Sequence, residues 1–282
     1  MTHRKKIVIT VIATVLILPI LAIAAIGILA TLFPSSEHTY THELLLPMTP
    51  VKDQGDTELC WAYAMLATIE TEHLLRGDSV NLSPRDLGRM LKKYQKAKLT
   101  SHPSPLTPSE RAMGQTALNL LERYGVVGYD VFPDDATAQL PTPKNVFLLG
   151  AKYTPLEFAH SVCAPDEYIG LTSVPDSPYY QKIVVPIPDN WEHNRLLNIP
   201  LDSLRRHVNR ALHHRHPVCY ESPAHAMCIV GLARDEERRA YYVMKNSWGT
   251  RQPHDGLVYM PVRHALRDVA AVYMTREAYE GR

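Results

Sequence analysis

Residues 54–64 read QGDTELCWAYA and are the most informative stretch of this 282-residue chain. They place Cys60 directly before an apolar run with helical spacing, so we expect the thiol at the start of a helix that ends near Leu75. Two short segments far downstream are AHA at 224–226 and KNSWG at 245–249. A thiol, a distant histidine and a distant asparagine are the parts of a cysteine nucleophile site.

The chemistry assigns a role to each part. A thiol attacks as the thiolate, and the positive end of a helix and an imidazolium at His225 would both lower the pKa of Cys60. The imidazole can later protonate a leaving amine, while Asn246 orients the ring and Trp248 shields their hydrogen bond from water. The Gln54 amide and the Cys60 backbone N–H can together form an oxyanion hole.

Each part alone has a simpler interpretation. A lone cysteine before tryptophan is usually a packed thiol, a lone histidine beside an apolar strand is usually a core residue, and Asn-Ser-Trp-Gly is usually a turn. Their order, and the helix or strand expected around each, favour one assembled site.

The chain changes character along its length. Helices are predicted at 60–75, at 85–98 with Ser83 as N-cap and Pro84 in first position, at 110–124, and from a cap at Asp202 or Ser203 to about 213. Short strands are predicted at 217–220, 226–232, 240–244 and 257–262. A helical front half and a β-rich back half predict an α+β fold of two lobes with a cleft between them.

The N-terminus predicts a membrane anchor. Residues 1–6 form a basic flank, and residues 7–33 carry no charge, which at ~1.5 Å per residue spans a ~30 Å hydrocarbon core with some tilt. This run is longer than the roughly 7–15 apolar residues of a signal peptide, although cleavage near Ala30 is the alternative. We expect a cytoplasmic flank (1–6), a transmembrane anchor (7–33), a linker (34–48) and an extracytoplasmic domain (49–282), held single-pass in the cell membrane.

Charge and cysteine content narrow the function. The 30 Lys and Arg against 29 Asp and Glu give no reason to expect a nucleic-acid partner. The four cysteines show no metal-type spacing, although Cys219 and Cys228 flank a short loop and a disulfide between them is an alternative. The cluster at 213–216, HHRH, lies near a predicted helix end, where such side chains suit the dipole better than they indicate a metal. We expect neither a metal nor an organic cofactor.

The motifs then resemble those of a known family. TPVKDQG at 49–55, CWA at 60–62 and NSWG at 246–249 are similar to the papain family of cysteine peptidases. The resemblance implies that Gln54, Cys60, His225 and Asn246 are the oxyanion donor, nucleophile, catalytic base and orienting residue. HAM at 225–227, YTPLEF at 153–158 and NIPLD at 198–202 resemble the bleomycin hydrolase and aminopeptidase C branch.

The chain also departs from the family pattern. Glu58 stands where the family usually has a small residue, so its carboxylate is expected to raise the thiol pKa or narrow a subsite. Gly114 resembles the family's cleft-wall glycine, although simple helix packing is an equal alternative. Together with Ala224 and Trp248, these two residues are the predicted substrate contacts. Only eight residues, 275–282, follow the last predicted element, so the branch's C-terminal substrate anchor does not carry over and the choice between endo- and exopeptidase stays open.

The sequence therefore predicts a membrane-anchored, papain-like cysteine peptidase that hydrolyses peptide bonds in a peptide or protein substrate. Two alternatives remain. One is a thiol-dependent acyl or amide transferase, and the other is a peptide-binding domain whose thiol is silent.

Overall fold

A computed structural model of the chain describes residues 39–101, 109–135, 141, 143–148 and 150–281. The chain divides into two units, Met1–Thr39 and Tyr40–Arg282, and nearly all described residues belong to the second. The predicted basic flank and transmembrane anchor, residues 1–33, lie outside the described residues. Within the described part of the chain, no helix combines the length and the apolar character needed to cross a membrane.

The described residues form helices and strands in mixed order. The helices are α1 (Cys60–Leu75), α2 (Pro84–Ser101), α3 (Gly114–Tyr124), α4 (Pro155–Val162), α5 (Leu201–His213), α6 (Val262–Arg267) and α7 (Arg276–Glu280). The strands are β1 (Thr41–Leu45), β2 (Val146–Leu148), β3 (Ala151–Tyr153), β4 (Tyr168–Thr172), β5 (Gln181–Val184), β6 (Arg195–Asn198), β7 (Val218–Glu221), β8 (Ala226–Arg234), β9 (Ala240–Lys245), β10 (Leu257–Pro261) and β11 (Ala271–Thr275).

Helix α1 runs through the interior. It begins at Cys60 as predicted, and every side chain from Trp61 to His73 is buried. The spacing of its apolar residues predicted one buried face, but the whole circumference is buried because α1 packs against α3 as well as against β7 and β8. Polar side chains on it find partners, as where the Glu72 carboxylate lies 3.0 Å from His216 Nδ1. This packing fixes the position of the Cys60 end.

The starts of the other helices show which capping predictions hold. The Ser83 Oγ accepts a hydrogen bond from Asp86 N at 3.1 Å, which confirms the predicted cap of α2. Helix α3 begins at Gly114 rather than 110, because the backbone at Met113 is still extended (φ −109°, ψ 162°).

The predicted cap of α5 was wrong. The N-cap is Pro200, without a side-chain hydrogen bond, and Asp202 lies within the first turn, with Ser203 next to it.

Nine strands of the described residues form one sheet in the order β10-β9-β8-β7-β11-β4-β6-β5, with β1 added against β8. Strand β8 is long enough to pair with β7 through its first half and with β1 through its second half. Strands β7 to β10 confirm the four predicted strands. Strand β1 lies within the predicted linker, so the folded unit begins near Tyr40. Cys219 and Cys228 are directly opposite each other in β7 and β8, and both are free thiols.

Two hydrophobic clusters confirm the predicted α+β division. One cluster is built mainly from α1, α2, α3 and α4, and the other from the sheet and α5. The connection between β5 and β6, residues 185–194, links two neighbouring strands of the sheet. Its residues Val185, Ile187 and Trp191 nevertheless pack on the helical cluster. The two halves are therefore joined both by α1 and by this connection.

Candidate active site

Cys60 lies where the helical half meets the β-rich half. It is the first residue of α1, so its backbone N–H has no acceptor inside the helix. The backbone N–H groups of Ala226 and Trp61 lie close enough to its thiol to lower the thiol pKa. Ala226 is the first residue of β8 and directly follows His225, so the fold brings the predicted nucleophile beside the predicted base.

The His225 ring is held on two sides. Its Nε2 donates a hydrogen bond to Asn246 Oδ1 at 2.7 Å. The Trp248 ring stacks on the imidazole with 4.9 Å between ring centroids, while remaining 49% exposed itself. The structure thus places Trp248 against the ring that makes this hydrogen bond, and shielding of the bond from water stays a prediction. Because Nε2 is occupied, Nδ1 is the ring atom left to exchange a proton with a nucleophile.

Gln54 is buried and held by a residue that sequence reasoning missed. Ser247 Oγ donates to Gln54 Oε1 at 2.6 Å, and Gln54 N donates to Ser247 O at 2.8 Å. Gln54 Nε2 donates one hydrogen to Thr57 O at 2.6 Å, which leaves its second hydrogen for another acceptor. Ser247 N also donates to Asn246 Oδ1 at 2.8 Å. Ser247 therefore ties the predicted oxyanion donor Gln54 to the predicted orienting residue Asn246, and its position beside Asn246 was the available signal.

A buried ionic cluster anchors the two segments that carry these residues. The Glu70 carboxylate is fully buried and accepts hydrogen bonds from Lys52 Nζ, Thr49 Oγ1 and, at 2.7 Å, Leu82 N. Lys245 Nζ donates to Thr49 Oγ1 at 2.7 Å. Lys52 precedes Gln54 by two residues and Lys245 directly precedes Asn246, so the cluster fixes both. Burial lowers the pKa of Lys245 to about 8.

The electrostatics of the site favour neutral forms of Cys60 and His225. Burial raises the pKa of the Cys60 thiol, and the Glu221 carboxylate raises it further, while Arg111 and the two backbone N–H donors act in the opposite direction. Burial lowers the pKa of His225 as well, although its hydrogen bond to Asn246 partly offsets this. A thiolate–imidazolium pair would therefore depend on the mutual attraction of its two charges.

The carboxylate that opposes the thiolate is not the predicted one. Glu58 is exposed, and the acidic group acting on Cys60 is Glu221 at the end of β7. Glu221 is buried, its Oε1 accepts a hydrogen bond from Gly114 N at 2.6 Å, and burial raises its pKa to about 8. No local pattern marks Glu221 as functional, because the residues of β7 before it are apolar.

The predicted substrate contacts lie in different surroundings. Gly114 is buried, and a Cβ there would lie 2.9 Å from the Tyr273 ring, so the packing role considered for it is present. Ala224, which directly precedes His225, is exposed, as are Trp248 against the His225 ring and Glu58 two residues before Cys60. Contact of these four residues with substrate stays a prediction.

One member of the histidine cluster at 213–216 has a structural role. His216 Nδ1 lies 3.0 Å from the Glu72 carboxylate, at the buried end of α1. Across the ranges that the structure describes, no three or more His, Cys, Asp or Glu side chains are grouped in a way that could hold a metal ion.

Comparison with known proteins places the fold. No protein-family model matches the chain. Ananain from Ananas comosus is 23% identical over 234 residues, which is 80% of this chain but only 54% of ananain, so the chain spans about half the length of this relative.

Two solved structures have similar folds. PepW from Lactobacillus rhamnosis HN001 has a TM-score of 0.63 and 15% identity, covering 84% of this chain and 82% of PepW. The digestive procathepsin L 3 of Tenebrio molitor larval midgut has a TM-score of 0.51 and 17% identity, covering 86% and 72% of the two chains. The resemblance inferred from the sequence is confirmed at the level of the fold: this chain has the fold of the papain-like cysteine peptidases.

Proposed function

We propose that this chain is a cysteine peptidase that hydrolyses peptide bonds with Cys60 as its nucleophile. The observation that carries the proposal is the convergence of three distant segments. The thiol at a helix N-terminus lies beside the backbone N–H of the residue after His225, His225 is hydrogen-bonded to Asn246 at 2.7 Å, and Gln54 uses only one of its two amide hydrogens in the bonds described.

The proposed reaction begins with proton transfer from the Cys60 thiol to His225 Nδ1. The thiolate attacks the carbonyl carbon of the peptide bond, and the carbonyl oxygen becomes an oxyanion. The imidazolium donates its proton to the leaving nitrogen, the C–N bond breaks, and a thioester remains on Cys60. His225 then takes a proton from water, and the resulting hydroxide attacks the thioester carbonyl. The C–S bond breaks, the carboxylic acid product leaves, and the His225 imidazolium returns its proton to the Cys60 thiolate.

The oxyanion is proposed to lie between the Cys60 backbone N–H and Gln54 Nε2. Both donors are fixed before substrate arrives, Cys60 by the buried helix α1 and Gln54 by its bonds to Ser247 and Thr57. Donors held in place for a charge that develops only during the reaction lower its barrier without binding the substrate more tightly.

The full-length chain is suited to a direct test. We expect Cys60→Ala to abolish cleavage in a peptide-library digest, while Cys163→Ala, which removes a buried thiol at the end of α4, retains it. Cleavage by a folded Cys60→Ala variant would refute the assignment. Adding a primary amine to the digest distinguishes hydrolysis from acyl transfer, because a transferase yields the amide product.

A second candidate function is a peptide-binding domain with a silent thiol. It is favoured by one observation, namely that burial raises the pKa of Cys60 and lowers that of His225, so each group alone prefers its neutral form. An epoxysuccinyl probe separates the two candidates. A peptidase is labelled at Cys60, whereas peptide binding without labelling would support the silent domain.

We further propose that the domain is held extracytoplasmically in the cell membrane by residues 7–33. The support is the uncharged length of that segment and the basic flank before it. Membrane fractionation of cells expressing the full-length chain, followed by protease treatment of intact cells or spheroplasts, tests this. A chain found in the soluble fraction, or protected from external protease, would overturn the proposal.

A further inference from the structure

The proposed nucleophile and the proposed base belong to different halves of the molecule. Cys60 begins α1 of the helical half, whereas His225 directly precedes β8 of the sheet. Proton exchange between the thiol and the imidazole requires a separation of about 3 Å. A contact that ties the two halves together beside both residues therefore controls the geometry of the pair.

The turn that carries His225 is held together by Ser222. Ser222 N donates to His225 O at 2.9 Å, and Ser222 Oγ donates to the same oxygen at 3.0 Å. Ser222 Oγ also accepts hydrogen bonds from Ala224 N at 3.3 Å and from His225 N at 3.1 Å. Because its two ends are bonded to each other, the turn between β7 and β8 moves as one unit, so a group that holds Pro223 also holds His225.

Arg111 holds this turn from the helical half. Its Nη2 donates one hydrogen to Pro223 O at 2.9 Å. Nε and Nη2 also donate to the two carboxylate oxygens of Asp189, at 2.8 and 2.7 Å, and the Asp189 side chain is only 17% exposed. A bidentate bond to a carboxylate fixes the plane of the guanidinium and so the direction of its remaining hydrogens. Asp189 therefore aims the Arg111 side chain at the turn.

The backbone beside Arg111 is tied to the start of α1. Trp61 directly follows Cys60, and its buried indole donates from Nε1 to Glu110 O at 2.8 Å. At the next residue, Trp191 Nε1 donates to Arg111 O at 3.2 Å. Two indole groups thus hold the backbone from which the guanidinium extends, and one of them belongs to the residue next to the nucleophile.

These contacts form a short path from the thiol to the imidazole. Two hydrogen bonds, one made by the Trp61 indole and one by the Arg111 guanidinium, connect the residue after Cys60 with the turn that ends at His225. We propose that Arg111, oriented by Asp189, is a positioning residue that sets the separation of the thiol and the imidazole. This inference rests on the proposed peptidase function and adds a residue that acts through the base.

Charge and geometry can be separated at this position. The positive charge of Arg111 lowers the pKa of Cys60 and of His225. Lysine keeps that charge but lacks the planar fork, so it does not reproduce the bidentate bond to Asp189 together with the bond to the turn. Arg111→Lys therefore tests position while the charge stays in place.

The first measurement is steady-state cleavage of a peptide by the full-length chain, with kcat and KM determined separately. A misplacement of about 1 Å can cost about 100-fold in rate, so we expect Arg111→Lys to lower kcat about 10- to 100-fold. KM should change less than about twofold, because Arg111 is proposed to act on the base and not on the substrate. Asp189→Asn replaces one accepting oxygen by a donor and should lower kcat as well, which guards against misfolding of a single variant.

The second measurement follows the thiol without any peptide. The rate of iodoacetamide alkylation at Cys60, read at fixed pH by mass spectrometry of the fragment that contains it, should fall about tenfold in Arg111→Lys. In a His225→Ala background the same substitution should leave the alkylation rate unchanged, because its effect is proposed to pass through the imidazole. A residue with only a structural role would not show this dependence on His225.

Arg239→Lys is the matched control. Arg239 donates from Nε to Asp235 Oδ2 at 2.5 Å, and its side chain is 43% exposed, against 35% for Arg111. It lies in the turn between β8 and β9, at the other end of β8 from His225. The control variant should match the wild type both in kcat and in alkylation of Cys60.

The outcomes separate the two proposals. Wild-type kcat and wild-type alkylation in both Arg111→Lys and Asp189→Asn would overturn the positioning role while leaving the peptidase intact. An equal fall in alkylation with and without the His225 ring would do the same. Failure of the wild type to cleave any peptide, together with no labelling of Cys60 by an epoxysuccinyl probe, would instead overturn the peptidase function.

Discussion

Ser247 offers the sharpest test of how the site is organised. Its hydroxyl donates to Gln54 Oε1 at 2.6 Å in a buried setting, and Ser247→Ala removes that bond. A neutral hydrogen bond contributes about 1 kcal/mol, and a buried carbonyl left unpaired costs about 1–3 kcal/mol. A complete oxyanion donor contributes about 2.7–4 kcal/mol to the transition state. Because Ser247→Ala misplaces the donor without removing it, we expect a loss of about 1.5–2.5 kcal/mol, or about 10- to 70-fold in kcat.

The assay is steady-state cleavage of a peptide substrate, with kcat and KM measured separately. KM should change less than about twofold, because the oxyanion exists only beyond the ground state. The matched control is Ser161→Ala, which removes a similar bond to Phe158 O at 2.7 Å on α4. Equal losses in both variants, or a loss confined to KM, would refute the proposed link between Ser247 and the oxyanion donor.

Three further predictions follow from the buried charges and the exposed tryptophan. The pKa of Lys245 in the folded state, about 8, lies below its ordinary 10.5, so between these pH values the folded state binds fewer protons than the unfolded state and stability rises with pH. Lys245→Met should therefore stabilise the fold at pH 7 by up to about 3 kcal/mol. Denaturant unfolding measured across this pH range should show the gain disappearing near pH 10.5. Trp248→Ala uncovers the His225 ring, and NMR titration in a Cys60→Ala background should show its pKa rising towards 6.5; an unchanged value would contradict shielding by the indole. Glu221→Gln removes a charge that opposes the thiolate, so the pH profile of iodoacetamide alkylation should move to lower pH, and a move to higher pH would reverse the assigned sign.

Local patterns were sufficient for the elements that carry the catalytic side chains. The start of α1 could be read from an apolar run after Cys60, and the strands β7 to β10 from short β-branched and aromatic segments separated by turns. Both signals depend on residues that are neighbours in sequence. Cys60 begins α1, His225 directly precedes β8 and Asn246 directly follows β9, which is why their grouping could be predicted.

Other elements lacked such a signal or had one that was overlooked. Strand β1 gains its place by pairing with β8, which is nearly two hundred residues away, and its own residues are mostly exposed. Helix α4 had a local cue, since Thr154 and Glu157 form a capping box with hydrogen bonds in both directions.

The residues that tune the site were beyond sequence reasoning for a different reason. Arg111, Asp189 and Pro223 come together from three segments, and none of them belongs to a pattern that marks function. Glu221 stands out only because burial and its closeness to Cys60 are known from the fold. The effect of such groups depends on distance and dielectric, which the chain order does not contain.

The same electrostatics explain how the proposed nucleophile can be neutral at rest and still react. Burial disfavours thiolate and imidazolium when each forms alone, but proton transfer from Cys60 to His225 creates both together, and their attraction grows in the low-dielectric setting that penalised them singly. The thiolate is then stabilised by the N–H groups of Ala226 and Trp61 and by the positive end of α1, and the imidazolium is stabilised by its hydrogen bond to Asn246. Because these donors are neutral and fixed, the charge pair depends little on ionic strength. Activity should therefore change little with added salt, whereas a strong salt dependence would show that Arg111 or Glu221 dominates instead.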